Sequence, residues 1–233
     1  MERLVTPHDL LRLAPAGWAS WNDAPSWVEA ALLRAPFVVV RRAGAKTGFT
    51  AGVANGAVEG TVDEPLFGGG HCVPVGVRGS TRAERFGTWL DTRHILEIVK
   101  PEDLRAIEPS SALPAFALLR QIASICNDTG FVWGPTGSVG FELASRVATV
   151  TESSDLDLLM RVPKRIEQNA AAAIFERLGR TASSTRIDVQ IETAAGVFSL
   201  AEYARPHWRV LLRGSDGPKF VTDPWCVERE QLA

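Results

Sequence analysis

A glycine–serine pair and three aspartates occur in a fixed order between positions 137 and 188, and the segments that contain them limit the folds that this chain can adopt. Gly137-Ser138 lies between a short apolar run and a stretch of helical periodicity, and Asp155-Leu156-Asp157 follows in a segment that alternates like a strand. Asp188 lies in a second alternating segment, after another helical stretch. The order of strand, turn, helix, strand, helix and strand predicts helices that pack against a sheet, and we expect an α+β fold for the whole chain.

The Gly137-Ser138 pair is predicted to form a turn that binds phosphate. Phe131-Val132-Trp133 has the character of a short strand, and residues 139–145 are expected to form a helix directly after the turn. Glycine lets the backbone approach a ligand closely, a helix N-terminus presents unpaired N–H groups to an anion, and the Ser138 hydroxyl adds a donor. A glycine–serine turn alone more often simply begins a helix, so the prediction depends on the residues that follow.

Two aspartates are predicted to share one face of the next strand. In the segment 153–160, period-two alternation places Asp155 and Asp157 on one face and two leucines on the other. Carboxylates this close repel each other unless a cation lies between them. Mg²⁺ prefers one or two carboxylates together with substrate phosphates, so the pair predicts a magnesium site.

A third carboxylate is predicted at the same site. The helix between the two strands is predicted to have an apolar face formed by Ile166, Ala170, Ile174 and Leu178. In the following segment, Arg186–Glu192, Asp188 lies on the polar face. If the two strands are neighbours, three carboxylates come together, which suits two metals or one metal plus a general base. An aspartate in an alternating strand is by itself more often part of a solvated face.

The motif series resembles a known superfamily and, within it, one enzyme family. Its order resembles that of the DNA polymerase β-like nucleotidyltransferases. The residues are also similar to the phosphoribosyl-dephospho-CoA transferases of malonate decarboxylase, also called malonate decarboxylase holo-acyl-carrier-protein synthases. This closer likeness is carried by Gly137–Ala144, Ser154–Leu159, Arg186–Gln190, Val73–Gly79, Arg82 and Arg85-Phe86. One difference is Ser145-Arg146, where the resemblance implies a small residue followed by glycine.

The resemblance implies both a fold and a reaction. The implied fold is a small mixed N-terminal domain followed by a polymerase β-like nucleotidyltransferase domain with a mixed sheet and flanking helices. The implied reaction moves phosphoribosyl-dephospho-CoA from triphosphoribosyl-dephospho-CoA to a serine of the acyl-carrier subunit of malonate decarboxylase, with release of diphosphate. On this hypothesis Asp155, Asp157 and Asp188 are catalytic and bind Mg²⁺, while Gly137 and Ser138 bind the leaving diphosphate.

Basic residues outside the motif series are candidates for binding the substrate or the carrier. Arg78, Arg82 and Arg85 are close in sequence, and the latter two have the i, i+3 spacing of one helix face. They are predicted to face the triphosphate or an acidic carrier surface, although a solvated basic face fits them equally well. Lys219 follows a strong turn signal in a predicted β-hairpin and is a further candidate for phosphate binding.

Composition along the chain predicts two domains, residues 1–110 and 111–233. Between positions 100 and 114, three prolines and weak periodicity mark the boundary. Strands are predicted in the first domain at Pro36–Arg42 and Val73–Val77, with glycine-rich turns at 44–60 and 68–70. Trp18, Trp21 and Trp27 are expected to pack the N-terminal segment onto the core rather than to stack on a base.

Charge and hydropathy exclude some classes of partner. The net charge of −2 and the sequence pI near 6.1 provide no global positive field for holding a nucleic acid. No run approaches the ~18 apolar residues that span a bilayer, and the first residues lack a signal pattern, so we expect a cytoplasmic protein without a membrane partner. Two alternatives stay open: another magnesium-dependent nucleotidyltransferase that uses ATP, and a carrier-binding module that has lost catalysis.

Overall fold

The structure, a computed structural model, describes residues 5–42, 72–81, 83–109, 111–182, 185–206, 209–214 and 217–226. Arg82 and the glycine-rich segments at 44–60 and 68–70 lie outside these residues. The chain divides into two compact units, Met1–Lys100 with Ala144–Val147, and Pro101–Leu143 with Ala148–Ala233. Helices occur together with sheets, which confirms the α+β class. The assignment of domains to residues 1–110 and 111–233 stays a prediction.

The described part of the first unit contains a five-stranded antiparallel sheet. Its elements are β1 (Leu10–Leu13), a 3-10 helix (Pro15–Gly17), α1 (Ser26–Arg34), β2 (Phe37–Val40), β3 (Cys72–Arg78), β4 (Arg85–Asp91), a 3-10 helix (Thr92–His94) and β5 (Ile95–Val99). The strands lie in the order β4-β3-β2-β1-β5. The strands predicted around positions 37–40 and 73–77 are confirmed as β2 and β3.

The N-terminal tryptophans pack against the core of this unit. That core contains buried apolar residues of the strands and of α1, among them Leu11, Leu32, Val38 and Val75. Trp18, Trp21 and Trp27 are partly buried against it. The indole N–H of Trp21 donates to the backbone carbonyl of Trp89 over 3.2 Å, so its polar group is satisfied while its ring packs. The interpretation of these rings as packing residues is confirmed.

The described part of the second unit contains a six-stranded mixed sheet. From Pro101 onward the elements are a 3-10 helix (Pro101–Ala106), α2 (Pro114–Asp128), β6 (Val132–Pro135), α3 (Gly137–Ser145), β7 (Leu156–Arg161), α4 (Gln168–Thr181), β8 (Ile187–Thr193), β9 (Gly196–Ser199), α5 (Leu200–Tyr203), β10 (Val210–Gly214) and β11 (Gly217–Val221). The strand order is β11-β10-β9-β8-β7-β6. β7 and β8 pair in parallel, with α4 as the crossover that a parallel pair requires. Their first residues therefore lie side by side.

Several predicted boundaries shift by a few residues. α3 begins at Gly137, two residues earlier than predicted, and β7 begins at Leu156, so that Asp155 lies just before the strand. α2 ends at Asp128, and Gly130 follows with a φ of +70°, the left-handed conformation that commonly ends a helix. The hairpin near the C-terminus is confirmed by the antiparallel pairing of β10 with β11. No helix within the described ranges is long and apolar enough to cross a membrane.

One predicted helix face is partly wrong. Ala170 is exposed, whereas Ala171 and Leu178 are buried. Ala171 and Leu178 are seven positions apart, and Ile174 lies between them at i+3. These three residues form the inward face of α4, and Ala170 lies outside that face. Leu178 is buried and Ile174 is partly buried, as predicted, whereas Ile166 precedes the helix, which begins at Gln168.

Arg146, directly after α3, has the backbone conformation that the resemblance implied for a glycine. Its φ is +61°. A left-handed residue with a side chain costs roughly 1 kcal/mol, and glycine pays much less. We expect Arg146→Gly to raise the free energy of unfolding by about 0.5–1 kcal/mol in chemical denaturation. A lower free energy of unfolding would show that the arginine side chain contributes more than its backbone conformation costs.

Candidate active site

The turn from β6 into α3 is held against the start of β7. The backbone N–H of Thr136 donates to the backbone carbonyl of Asp157 over 2.8 Å. Gly137 follows with φ +59°, and a Cβ at this position would overlap the Asp157 carboxylate. Because α3 begins at Gly137, the N–H groups of its first turn have no acceptor in a preceding helical turn. The predicted phosphate turn therefore lies directly against one predicted metal-binding residue.

Asp157 and Asp188 lie side by side on neighbouring strands. In the parallel register of β7 and β8, Asp157 is opposite Asp188 and Leu156 is opposite Ile187. Opposite residues of parallel strands point to the same face, and Asp155 shares that side by period-two alternation. The expectation that the two strands are neighbours is confirmed. Asp155, Asp157 and Asp188 therefore lie on the same side of the sheet.

Arg186 pairs with the first of these carboxylates. Its Nη2 donates to Oδ2 of Asp155 over 2.6 Å. The side chain of Arg186 is 74% exposed and that of Asp155 is 26% exposed. The hydrogen bond and the charge of Asp155 raise the pKa of Arg186 above its ordinary value, and Asp188 and Asp157 raise it further. One guanidinium thus interacts with all three carboxylates.

The three carboxylates supply the oxygen donors that Mg²⁺ prefers. Among the residues that the structure describes, however, no three Asp, Glu, His or Cys side chains form a group that could hold a metal by themselves. Asp155 is engaged by Arg186, and Nε2 of Gln190 lies 3.4 and 3.3 Å from the two oxygens of Asp188. Mg²⁺ usually keeps one or two carboxylates and takes its remaining ligands from phosphates and water. The donor set therefore fits a metal that arrives with a triphosphate.

Glu142 fixes the segment that leads from α3 to Asp155. Its side chain is buried, and its Oε2 accepts the backbone N–H groups of Thr149 over 2.7 Å and of Val150 over 2.8 Å. The Thr149 hydroxyl donates to the backbone carbonyl of Ser138, itself a buried residue, over 3.1 Å. These bonds connect the first turn of α3 to the approach to Asp155. Glu142 is therefore a positioning residue.

Removing the Glu142 carboxylate should destabilise the protein. The buried N–H of Val150 and the partly buried N–H of Thr149 would lose a charged acceptor. We therefore expect Glu142→Gln to lower the free energy of unfolding by about 1–2 kcal/mol and Glu142→Ala by about 3 kcal/mol. Urea denaturation measures both values. The control is Glu176→Gln, which removes an exposed i, i+4 partner of Arg180 and should cost less than about 0.5 kcal/mol. Equal stability of the Glu142→Ala and control variants would contradict this role.

Of the predicted basic residues, Arg78 and Arg85 lie in the first unit, Lys219 lies in the second unit, and Arg82 lies outside the described residues. Arg78 on β3 is directly opposite Arg85 on β4. Arg85 begins strand β4, so the prediction that Arg82 and Arg85 share one helix face is wrong at Arg85. Arg85 instead pairs with Arg78 across the hairpin. Lys219 lies on β11, opposite Leu212. β11 is three strands from β8, or roughly 14 Å at ordinary strand spacing.

Sequence reasoning assigned no role to Arg186, Gln190 or Glu142. The alternation of the second strand could have indicated the first two, since both share the polar face with Asp188. Glu142 bonds to residues seven and eight positions later along an irregular segment. No periodic spacing signals such a contact.

Comparisons with known proteins give the family. The family described as Phosphoribosyl-dephospho-CoA transferase MdcG C-terminal domain matches residues 103–224. A relative from Azotobacter vinelandii named phosphoribosyl-dephospho-CoA transferase is 37% identical over 232 residues, which cover 95% of each chain. A relative of the same name from Pseudomonas aeruginosa is 38% identical over 224 residues, which cover 95% of this chain and 94% of its own.

No solved structure matches this chain. The matched range 103–224 contains the turn, the three carboxylates and Arg186, so family membership and site geometry concern the same residues. The prediction of an enzyme is confirmed, and the alternative of a carrier-binding module that has lost catalysis loses its support. The chain belongs to the phosphoribosyl-dephospho-CoA transferase family, a family of transferase enzymes.

Proposed function

We propose that this chain transfers phosphoribosyl-dephospho-CoA from triphosphoribosyl-dephospho-CoA to a serine of the acyl-carrier subunit of malonate decarboxylase, with release of diphosphate. The observation that carries the proposal is the contact of the Gly137 turn with Asp157, beside Asp188. A helix N-terminus that faces carboxylates suits a reaction in which a polyphosphate is bound and diphosphate leaves. The names of the relatives supply the identity of the transferred group.

The proposed chemistry is a displacement at phosphorus. The serine oxygen forms a bond to the α-phosphorus of the triphosphate, which carries the ribosyl group. The bond from this phosphorus to the oxygen that bridges it to the β-phosphorus breaks, and that oxygen leaves with diphosphate. The product is a phosphodiester, and the serine proton goes to a base. Asp188 either accepts this proton or serves as a metal ligand. The first N–H groups of α3, at Gly137 and Ser138, bind the diphosphate as its charge develops.

The residues that would hold Mg²⁺ are Asp155 and Asp157, with Asp188 as a third candidate. Bound Mg²⁺ supplies charge neutralisation for the triphosphate and for the leaving diphosphate. The crossover α4 between parallel strands β7 and β8, together with the turn before α3, supports placing the domain in the polymerase β-like nucleotidyltransferase superfamily. We also propose that the enzyme acts in the cytoplasm.

Binding roles for the basic residues remain part of the proposal. Arg78 and Arg85 form a pair of like charges across a hairpin, an arrangement that favours an anionic partner near them. We assign them, with Arg82, to the acidic carrier subunit or the triphosphate. The distance of β11 from β8 makes Lys219 a candidate for an outlying part of the substrate rather than for the reacting phosphates.

A comparison of donors tests the proposed substrate. The purified chain with Mg²⁺ and the carrier subunit is given either α-labelled ATP or triphosphoribosyl-dephospho-CoA, and label or mass gain on the carrier is measured. We expect transfer from triphosphoribosyl-dephospho-CoA and none from ATP. Transfer of adenylate from ATP at a comparable rate would assign the chain to a different nucleotidyltransferase reaction.

A further inference from the structure

We propose that Arg186 is an exchangeable counter-ion of this site: it holds Asp155 while no metal is bound and moves to the phosphates when a metal-bound triphosphate arrives. The inference rests on the proposed function for one point, that the three carboxylates are the metal-binding face. It gives Arg186 a substrate-binding role in addition to its contact with Asp155.

The pairing of β7 and β8 places Arg186 beside Asp155. The backbone carbonyl of Arg186 accepts the N–H of Leu156 over 2.9 Å, so the residue lies beside Asp155 at the start of the parallel pair. From there the side chain reaches Oδ2 of Asp155 at 2.6 Å. The pair is asymmetric, since the arginine is largely exposed and the aspartate is mostly covered. The arginine can leave the pair at little desolvation cost, whereas the aspartate is mostly covered and lies directly before β7.

A metal ion and Arg186 would compete for the same oxygen of Asp155. Oδ2 of Asp155 accepts a hydrogen bond from the guanidinium of Arg186. A metal that binds Asp155 must displace that hydrogen bond or share the carboxylate. Arg186 therefore weakens metal binding when no nucleotide is present, and it limits the mutual repulsion of the carboxylates in that state.

The phosphates of the substrate provide a new partner for the displaced side chain of Arg186. A metal-bound triphosphate brings several anionic oxygens to the carboxylate face, next to a guanidinium that has lost its partner. The planar guanidinium fits two phosphate oxygens at once, which an ammonium group cannot do. The displaced Arg186 consequently binds the phosphates and strengthens the complex of metal and polyphosphate.

Binding of Mn²⁺, followed by electron paramagnetic resonance, tests the first half. The proteins are the wild type, Arg186→Ala, Arg186→Lys, and Arg180→Ala as a control that removes an exposed arginine paired with Glu176 on α4. Without polyphosphate, we expect Arg186→Ala to bind Mn²⁺ about two- to fivefold more tightly than the wild type, the range of an exposed ion pair. The Arg180→Ala variant should match the wild type. Equal affinity in Arg186→Ala and the wild type would overturn the counter-ion role.

Binding of inorganic tripolyphosphate in the presence of Mn²⁺ tests the second half. We expect Arg186→Ala to lose about tenfold in affinity for tripolyphosphate, the range of a charged hydrogen bond, and Arg186→Lys to retain part of it. Unchanged affinity in Arg186→Ala would overturn the move to the phosphates. Neither assay uses the coenzyme-derived substrate, so failure of the proposed transfer reaction leaves both results interpretable. If the wild type binds no Mn²⁺ even with tripolyphosphate, the metal assignment itself is wrong.

Discussion

An Asp157→Asn variant is expected to fold like the wild type and to lose at least about a thousandfold in transfer rate, on the order of 4 kcal/mol of transition-state stabilisation. The substitution keeps the size of the side chain and removes its charge. Asp157 lies between the Gly137 turn and Asp188, where it would fix the relative positions of the metal and the substrate polyphosphate. Single-turnover transfer to the carrier subunit, with circular dichroism as the test of folding, measures this effect.

The matched control for this experiment is Asp128→Asn. Asp128 is the last residue of α2, and its carboxylate pairs with Arg177 over 2.7 Å. The control removes the same charge from an exposed ion pair, so its transfer rate should stay within about twofold of the wild type. Transfer by folded Asp157→Asn at more than about a tenth of the wild-type rate would contradict the catalytic role of this aspartate.

A Gly137→Ala variant is expected to lose about a hundredfold in transfer rate while remaining folded. Its new Cβ would overlap the Asp157 carboxylate, which must then move away from the turn. A displacement of about 1 Å in a catalytic group is enough to lower the rate by two orders of magnitude. The left-handed φ of +59° adds a stability cost of roughly 1–2 kcal/mol for any residue with a side chain. Transfer kinetics and urea denaturation on the same preparation separate the two effects.

Gly179→Ala provides the control for added volume at a glycine. Gly179 lies in α4, and a Cβ there meets no other atom within 4 Å. Alanine should raise the free energy of unfolding by up to about 1 kcal/mol through its helix propensity and leave the transfer rate unchanged. If Gly137→Ala transfers as fast as Gly179→Ala, the close contact between the turn and Asp157 has no catalytic importance.

Local sequence patterns were sufficient for the parts of the site that depend on periodicity. Period-two alternation placed Asp155 and Asp157 on one face and Asp188 on the polar face of its strand, because side-chain direction in a strand is set by neighbouring residues. The hairpin of β10 and β11 was predictable for the same reason, since its turn signal is local. The resemblance of the motif residues gave the family, which the comparisons confirm.

Contacts that depend on register between distant segments were not predictable in this way. The pairing of Arg186 with Asp155 requires that β7 and β8 be parallel with Leu156 opposite Ile187, and no local rule fixes that register. The role of Glu142 depends on an irregular segment that turns back onto α3. The placement of Ala170 failed because a strict i, i+4 series drifts around a helix by about 40° per step. The buried side of α4 passes through Ala171 instead.

The most direct test of the proposed reaction is a paired measurement on one mixture of the chain, Mg²⁺, triphosphoribosyl-dephospho-CoA and the carrier subunit. Intact-mass spectrometry counts the phosphoribosyl-dephospho-CoA groups attached to the carrier, and an enzymatic assay counts the diphosphate released. We predict one diphosphate for each group attached, with both counts falling to background for a carrier whose acceptor serine is replaced by alanine. Diphosphate release without attachment, or attachment to the serine-to-alanine carrier, would contradict the proposed reaction.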